Sequence, residues 1–460
     1  MCKEATMSGL LEPIGKFIAN LKFEDIPEKE IYWAKLALAD WVCVTMPGTQ
    51  LPAARDILDY LGERRLPGKS VLFATHETAD APTACLFNGT ASHTLDFDDC
   101  SHSIYGHPTA PIAPVAFACA QECGLSGREV IRGYVAGFET MTQIARWTSP
   151  ILSQNGWHAT ITYGVLGAAA VACALYGCDE VTTTHALGLA ASRACGLRSN
   201  FGTKTKALHC GLAALTGYEC ARMAIHGITS NPKAIEQADG FAQCLAKPIK
   251  AEDVKIDIGE YWDLVEHGLL FKQYPCCSSS HSADDAWDAY LKAHPLDWQE
   301  IEKIDVGLGI LAFKELVSHR PQDAVEAKFS IEYALAARVI YGPIEIDTFT
   351  DEKVRDPRVQ DLMSRITSCE DPVLAKKFAY TGKAPARFDV YLKSGEVIHL
   401  HKDLADGNAE LPFSEEQRHE KFLMCMRKSG DETNAEKWYA ILSELELARA
   451  SDIAEIGRKA

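Results

Sequence analysis

From Ala159 to Cys178 the chain runs for twenty residues without a charge, ATITYGVLGAAAVACALYGC. A stretch of that length has two homes: a bilayer, which it is long enough to cross, or the centre of a helical protein. Its residues favour the second. Ala and Gly are frequent, Thr and Tyr are scattered through it, and the Gly164/Gly167 spacing lets a neighbouring helix approach closely. A helix that is apolar on every face needs other helices around it, so the chain is constrained to a multi-helix core.

The surrounding sequence supplies those neighbours. IPEKEIYWAKLALADWVCVTM starts near Pro27, places apolar residues three and four apart, and is expected to stop before Pro47-Gly48. GREVIRGYVAGFETMTQIARW and GLAALTGYECARMAIHG repeat the pattern with Gly and Ala on inner faces. Past about residue 265 the texture changes. KIDVGLGIL and RFDVYLKSGEVIHLHK alternate with period two, and Ser394-Gly395 marks a hairpin turn. Between them AVEAKFSIEYALAARVIYG and DPRVQDLMSRITS read as helices. The expected fold is mainly α: a large all-helical domain over 1–267, a smaller α+β lid domain over 268–405, and a helical tail, 406–460, packing back onto the first domain. Two to three domains suit 460 residues.

Into this framework the segment His93 to Thr109, HTLDFDDCSHSIYGHPT, brings three carboxylates and three histidines. Asp96, Asp98 and Asp99 cannot all be buried without partners, because an unpaired buried carboxylate costs several kcal/mol or takes up a proton. A solvated loop would hold them cheaply. The flanking CLFNGTASHTLD and APIAPVAFACAQECG read as buried helices, however, and a loop between two buried helices is a place for chemistry.

Four further stretches hold polar groups that a helical core does not need. QNGWHATITYG puts His158 just before the uncharged helix, where an imidazole either satisfies its neighbours or serves as acid or base. GLRSNFGTKTKALHCG offers Lys204, Lys206 and His209 at a helix entrance, an arrangement that suits an anion but is more often a solvated face. FKQYPCCSSSHSADDAWDAY carries Cys276 to His281 through a polar loop into a helix, and Tyr333 lies on a later one.

Sharper motifs fail. GERRLPGKS has five residues, not four, between its glycines and follows a helix where a phosphate loop needs a strand. No G-x-S-x-G elbow and no H-E-x-x-H helix is present. A D-D-x-x-D spacing at Asp284, Asp285 and Asp288 could bridge magnesium ions on a diphosphate, with Asp96 to Asp99 as a second acidic cluster. Against it, D-x-D-D is the wrong first motif and the histidine-rich surroundings do not suit a prenyl pocket. The net charge of -17 and the lack of a basic patch argue against nucleic acid. Sixteen cysteines without a CxxC pair, most of them inside apolar helical runs (Cys119, Cys173, Cys195), read as buried thiols in a reducing compartment. Lys3 and Glu4 stand where a leader would need a basic start and an apolar core, so cytoplasmic residence is expected, with the mitochondrial matrix as the alternative.

The ordered set HTLDFDDC...GHPT, NGWHATITYG, FGTKTKALHCG, YPCCSSSHSADDA and AKFSIEYALA resembles the MmgE/PrpD family over nearly the whole chain. The resemblance implies a helical domain closed by an α+β lid, a site in the cleft between them, and usually a homodimer. It implies a cofactor-independent enzyme acting on a small polycarboxylate. No metal, no nucleic acid and no membrane partner is expected. Carried over by position, the family's active-site residues fall on Asp96, His107, His158, Lys206, His281 and Tyr333. Cys100, Lys204 and His209 are the candidates for substrate binding. Cys100 stands where the decarboxylase pattern has threonine, and the Asp99 to His107 gap is one residue longer than in the animal decarboxylases, closer to the epimerase-like branch.

Dehydration, decarboxylation and epimerisation of such acids share one demand: charge that develops on carbon beside a carboxylate must be stabilised and then quenched by a proton. Lys206 is expected to bind the carboxylate and hold that charge, and histidines 107 and 158 to move protons. Asp96 is expected to orient one imidazole, Asp98 only to cap the loop, and His281 to complete the site from the lid. The expected function is a lyase, dehydratase or decarboxylase, on a citrate- or aconitate-like acid. Alternatives are an isomerase on a dicarboxylate such as iminodisuccinate, a metal-dependent diphosphate enzyme, and a non-catalytic binding relative.

Overall fold

The uncharged segment forms the helix Ala159–Tyr176, and 94% of its apolar window is buried inside the protein, as a core helix requires. The computed structural model describes residues 9–62, 64–378 and 383–460; Lys3 and Glu4 lie outside them. The helices Thr109–Cys123, Gly127–Thr148, Glu180–Arg193 and Lys204–Ile225 pack around the central one. Small side chains set the spacing. A Cβ on Gly164 would meet the Pro111 side chain at 2.7 Å, and one on Gly217 would meet the Val165 carbonyl oxygen at 2.6 Å. Both contacts are closer than side-chain carbon tolerates, so glycine is what lets these helices touch.

With 59% helix and 9% strand the protein is mainly α. Two separate apolar cores are present among the described residues. The first runs from Leu10 to Phe271 and takes in Phe413 to Ile456; the second runs from Tyr274 to Ile398. The tail therefore joins the first core, where Glu415–Ser429 lies against Glu28–Gly48. In the second core a four-stranded sheet has the order β4-β3-β5-β6, with β3 at Ile301–Leu308, β4 at Ile366–Glu370, β5 at Ala386–Leu392 and β6 at Val397–Lys402. β3 pairs antiparallel with β5 and parallel with β4, and β5 and β6 form the hairpin around Ser394-Gly395. The helices His281–Ala293 and Ile331–Tyr341 pack on this unit.

Several expectations need correction. The first unit is not entirely helical, because β1 (Ser70–Val71) and β2 (Thr78–Ala79) form a short antiparallel pair. The helix from Glu28 continues through Pro47 to Gly48. In the second unit the helix expected across 356–368 stops at Ser364, and Ile366–Glu370 is drawn into the sheet by its parallel pairing with β3. The helix expected across 324–342 breaks at 328–330, where the Ser330 side chain accepts from the Tyr333 backbone N–H and starts a new one. Cys195 is exposed beyond the end of Glu180–Arg193 rather than inside an apolar run.

Candidate active site

The acidic segment does lie between two buried helices. Ala81–Thr94 ends, the chain turns at Asp96 with φ +54°, and Thr109–Cys123 begins. A left-handed conformation is uncommon for a residue with a side chain, though Asp tolerates it better than most, and here it occurs at the centre of a cleft. Cys100 and Leu270 exchange backbone hydrogen bonds at 2.9 Å in both directions. That short bridge brings Lys272 beside the acidic loop.

Lys272 is fully buried. Its ammonium donates to Asp96 Oδ1 at 2.8 Å and to the Asp96 carbonyl oxygen at 2.7 Å. Lys206, 7% exposed, donates to the same Oδ1 at 3.0 Å and rests near the Phe201 and Phe329 rings. Burial alone would raise the Asp96 carboxyl, but the two ammoniums hold it well below the usual carboxylate range. Burial works against charge on Lys272 too, and Asp96 reverses it, so the lysine sits above its ordinary value. A third lysine, Lys328, donates to the Thr94 carbonyl at 2.8 Å, and burial brings it down to about 8.

The histidines divide into two kinds. His107 donates from Nδ1 to Asp98 at 3.1 Å, and its Nε2 lies 3.7 Å from Asp96 Oδ1. Burial pulls its pKa down, but Asp98 outweighs burial and lifts it to about 10, so the ring is an imidazolium. His93 shares Asp98 through Nδ1 at 2.8 and 2.9 Å, yet burial and nearby Lys206 outweigh that help and lower it to about 3. His158 Nδ1 lies 2.9 Å from His209 Nδ1, a spacing that needs one nitrogen to donate and the other to accept. Burial, then Lys206, holds His158 well below its usual value and His209 at about 4, so both rings are neutral. With Nδ1 engaged, His158 can meet a ligand only through Nε2.

Asp96, Cys100, His107, His158 and Lys206 thus line one cleft, joined by Lys272. His209 stands behind His158 as its hydrogen-bond partner. Cys100 Sγ is 3.7 Å from His107 Nδ1 and 3.7 Å from Ser278 Oγ. Lys204 does not take part: residues two apart point to different sides of a helix, and Lys204 is exposed and pairs with Asp56 at 2.6 Å. Tyr333 lies within the second core, and its hydroxyl donates to the Thr348 carbonyl, away from the cleft. His281 is fully buried with Nε2 3.6 Å from Cys276 Sγ and its ring edge against Tyr274, so it backs the cleft wall rather than lining it.

The two aspartates do not divide the work as expected. Asp98 is the acceptor that holds His107, while Asp96 is the lysines' partner. Asp99 anchors the loop through the Thr109 hydroxyl and backbone N–H. The D-D-x-x-D carboxylates do not converge: Asp284 accepts from Ser280, Asp285 from the Asp406 N–H, and Asp288 pairs with Arg338 and Lys292. A different set, His93, Asp96, Asp98 and His107, brings ligand atoms within 4.8 Å of one another. Two ammoniums already lie on Asp96, however, and His107 is protonated. Summing Asp96, Asp98, Lys206, Lys272 and His107 leaves one excess positive charge, so this centre favours an anion over a cation.

Fold and site together define a class: a mainly helical protein with two cores and, at their junction, a cationic cleft holding one charged and one neutral imidazole. Residues 12–253 match the MmgE/PrpD N-terminal domain and residues 274–447 the MmgE/PrpD C-terminal domain. The chain belongs to the MmgE/PrpD family and is an enzyme of that family. It is 24% identical over 461 residues to cis-aconitate decarboxylase of Mus musculus, covering 96% of this chain and 91% of that protein. Identity to the Homo sapiens enzyme of the same name is 25% over 451 residues, covering 96% and 92%. The Aspergillus terreus cis-aconitate decarboxylase is 24% identical over 388 residues, covering 79% of each chain.

Proposed function

We propose that the protein is a lyase acting on a citrate- or aconitate-like polycarboxylate. The observation that carries this is the pairing of Lys206 and Lys272 on one buried carboxylate oxygen beside the His107 imidazolium. Such a cluster is preorganised to receive carboxylates and to stabilise charge that builds up beside them, and donors fixed in place before reaction are worth several kcal/mol in a water-poor site. The names of the relatives point to the same substrate chemistry.

The two environments separate acid from base. His107 enters the reaction protonated and donates to the carbanion-like carbon or the leaving group. His158 enters neutral and accepts a proton through Nε2, with His209 holding its other nitrogen. Epimerisation of a dicarboxylate would use the same two rings on opposite faces of one carbon. Proton NMR in deuterium oxide with citrate, methylcitrate, cis-aconitate and iminodisuccinate separates these outcomes. Loss of a tricarboxylate is expected: decarboxylation places deuterium on product carbon, whereas dehydration yields an alkene that carries none. Exchange confined to iminodisuccinate would assign an isomerase instead, and no reaction with any of the four would overturn the proposal.

A further inference from the structure

Cations and an acid face one another across the cleft. Lys206 and His107 come from the first unit and Lys272 from the segment between the two cores, whereas the second unit presents Ser278, Ser279 and, at the end of the helix Ile310–Glu315, an acid. Ser279, 2% exposed, donates to Glu315 Oε2 at 2.6 Å and so fixes the carboxylate. Among the described residues no cation pairs with Glu315; Lys383, which also lines the cleft, pairs with Glu410 at 2.6 Å. A substrate whose carboxylates meet the lysines therefore meets a fixed anion on the opposite wall. A third carboxylate there would be repelled, while a hydroxyl would find an acceptor.

We propose that Glu315 is a specificity-determining residue that selects a hydroxyl-bearing polycarboxylate over its unsaturated counterpart. This rests on the lyase function proposed above and narrows it to dehydration. The carbon-bound proton passes to His158, the C–O bond breaks, and the hydroxyl leaves as water with the His107 proton. The product is the alkene, with no change in overall oxidation state. Glu315 takes no part in bond breaking. It accepts the substrate hydroxyl's hydrogen bond in the ground state and keeps a carboxylate from taking that place. An acceptor built for a hydroxyl discriminates strongly against an analogue that lacks it.

The test compares kcat and KM for citrate, 2-methylcitrate and cis-aconitate in the wild type, Glu315→Gln, Glu315→Ala and Glu315→Asp. The wild type is expected to prefer a hydroxy acid. In the Gln and Ala variants the preference over cis-aconitate should fall at least tenfold, chiefly through KM, and the Asp variant should restore part of it. Wild-type turnover with an unchanged preference in both neutral variants would overturn the inference alone. Failure of the wild type on all three acids would overturn the lyase proposal with it.

Discussion

Replacing Lys206 with alanine is expected to lower turnover by about 10²- to 10³-fold, the loss typical of removing one preorganised donor from a developing anion. The fold should survive, because Lys272 remains on Asp96 Oδ1 and keeps that buried carboxylate paired. Lys206→Arg should recover little, since a planar fork does not reproduce a compact ammonium held near two aromatic rings. Lys272→Ala serves as the contrast. Lys272 is wholly buried and serves both the carboxylate and the backbone of Asp96, so its loss should also destabilise the fold, by about 3–5 kcal/mol as for a broken buried pair. Steady-state kinetics with thermal melting checks both. Retention of more than about a tenth of wild-type turnover in Lys206→Ala, under about 1.4 kcal/mol of barrier, would be inconsistent with the role assigned here.

The second large effect is expected from Asp98→Asn. Asp98 lifts His107 to about 10 in spite of burial, so the wild type keeps its imidazolium throughout the neutral range and has no limb from this group there. Asparagine preserves the size and one acceptor but removes the charge that favours the protonated ring. The His107 pKa must then fall, and activity that needs the imidazolium must be lost as pH rises through the new value. At pH 8.5 a loss of about 100-fold in kcat/KM is expected, with partial recovery on acidification. The direction matters, because loss of activity toward acid would instead indicate a ring that acts neutral. A pH profile superimposable on the wild type would remove His107 from the proton transfer.

Sequence patterning conveyed the core better than the site. The uncharged helix could only be a core helix once its Ala and Gly content was weighed, and the period-two runs marked three of the four strands in the second sheet. β4 was hidden because five residues, ITSCE, gain strand character only from the parallel partner some sixty positions earlier. Asp96, His107, His158 and Lys206 were visible as polar groups that a buried helical frame does not need. Lys272 was not, since LLFK reads as the end of an apolar run and its partner, Asp96, lies 176 residues away. The parts taken by Asp96 and Asp98 were equally hidden, for they depend on which side of a tight loop each carboxylate faces. Lys204 could have been set aside earlier: once a helix starts at this point, its spacing from Lys206 directs it elsewhere.

The most direct test of the central claim, that Asp96 with its two lysines and His107 forms a receptor for a polycarboxylate, is calorimetric titration of tricarballylate. This saturated tricarboxylate has no hydroxyl to eliminate and no double bond. Wild-type protein at neutral pH should bind one molecule per chain, and Lys206→Ala should bind it at least tenfold more weakly, about 1.4 kcal/mol or more. The hydroxyl contact to Glu315 is missing with this ligand in both proteins alike, so the comparison isolates the lysine, and equal affinity in the two would contradict the account.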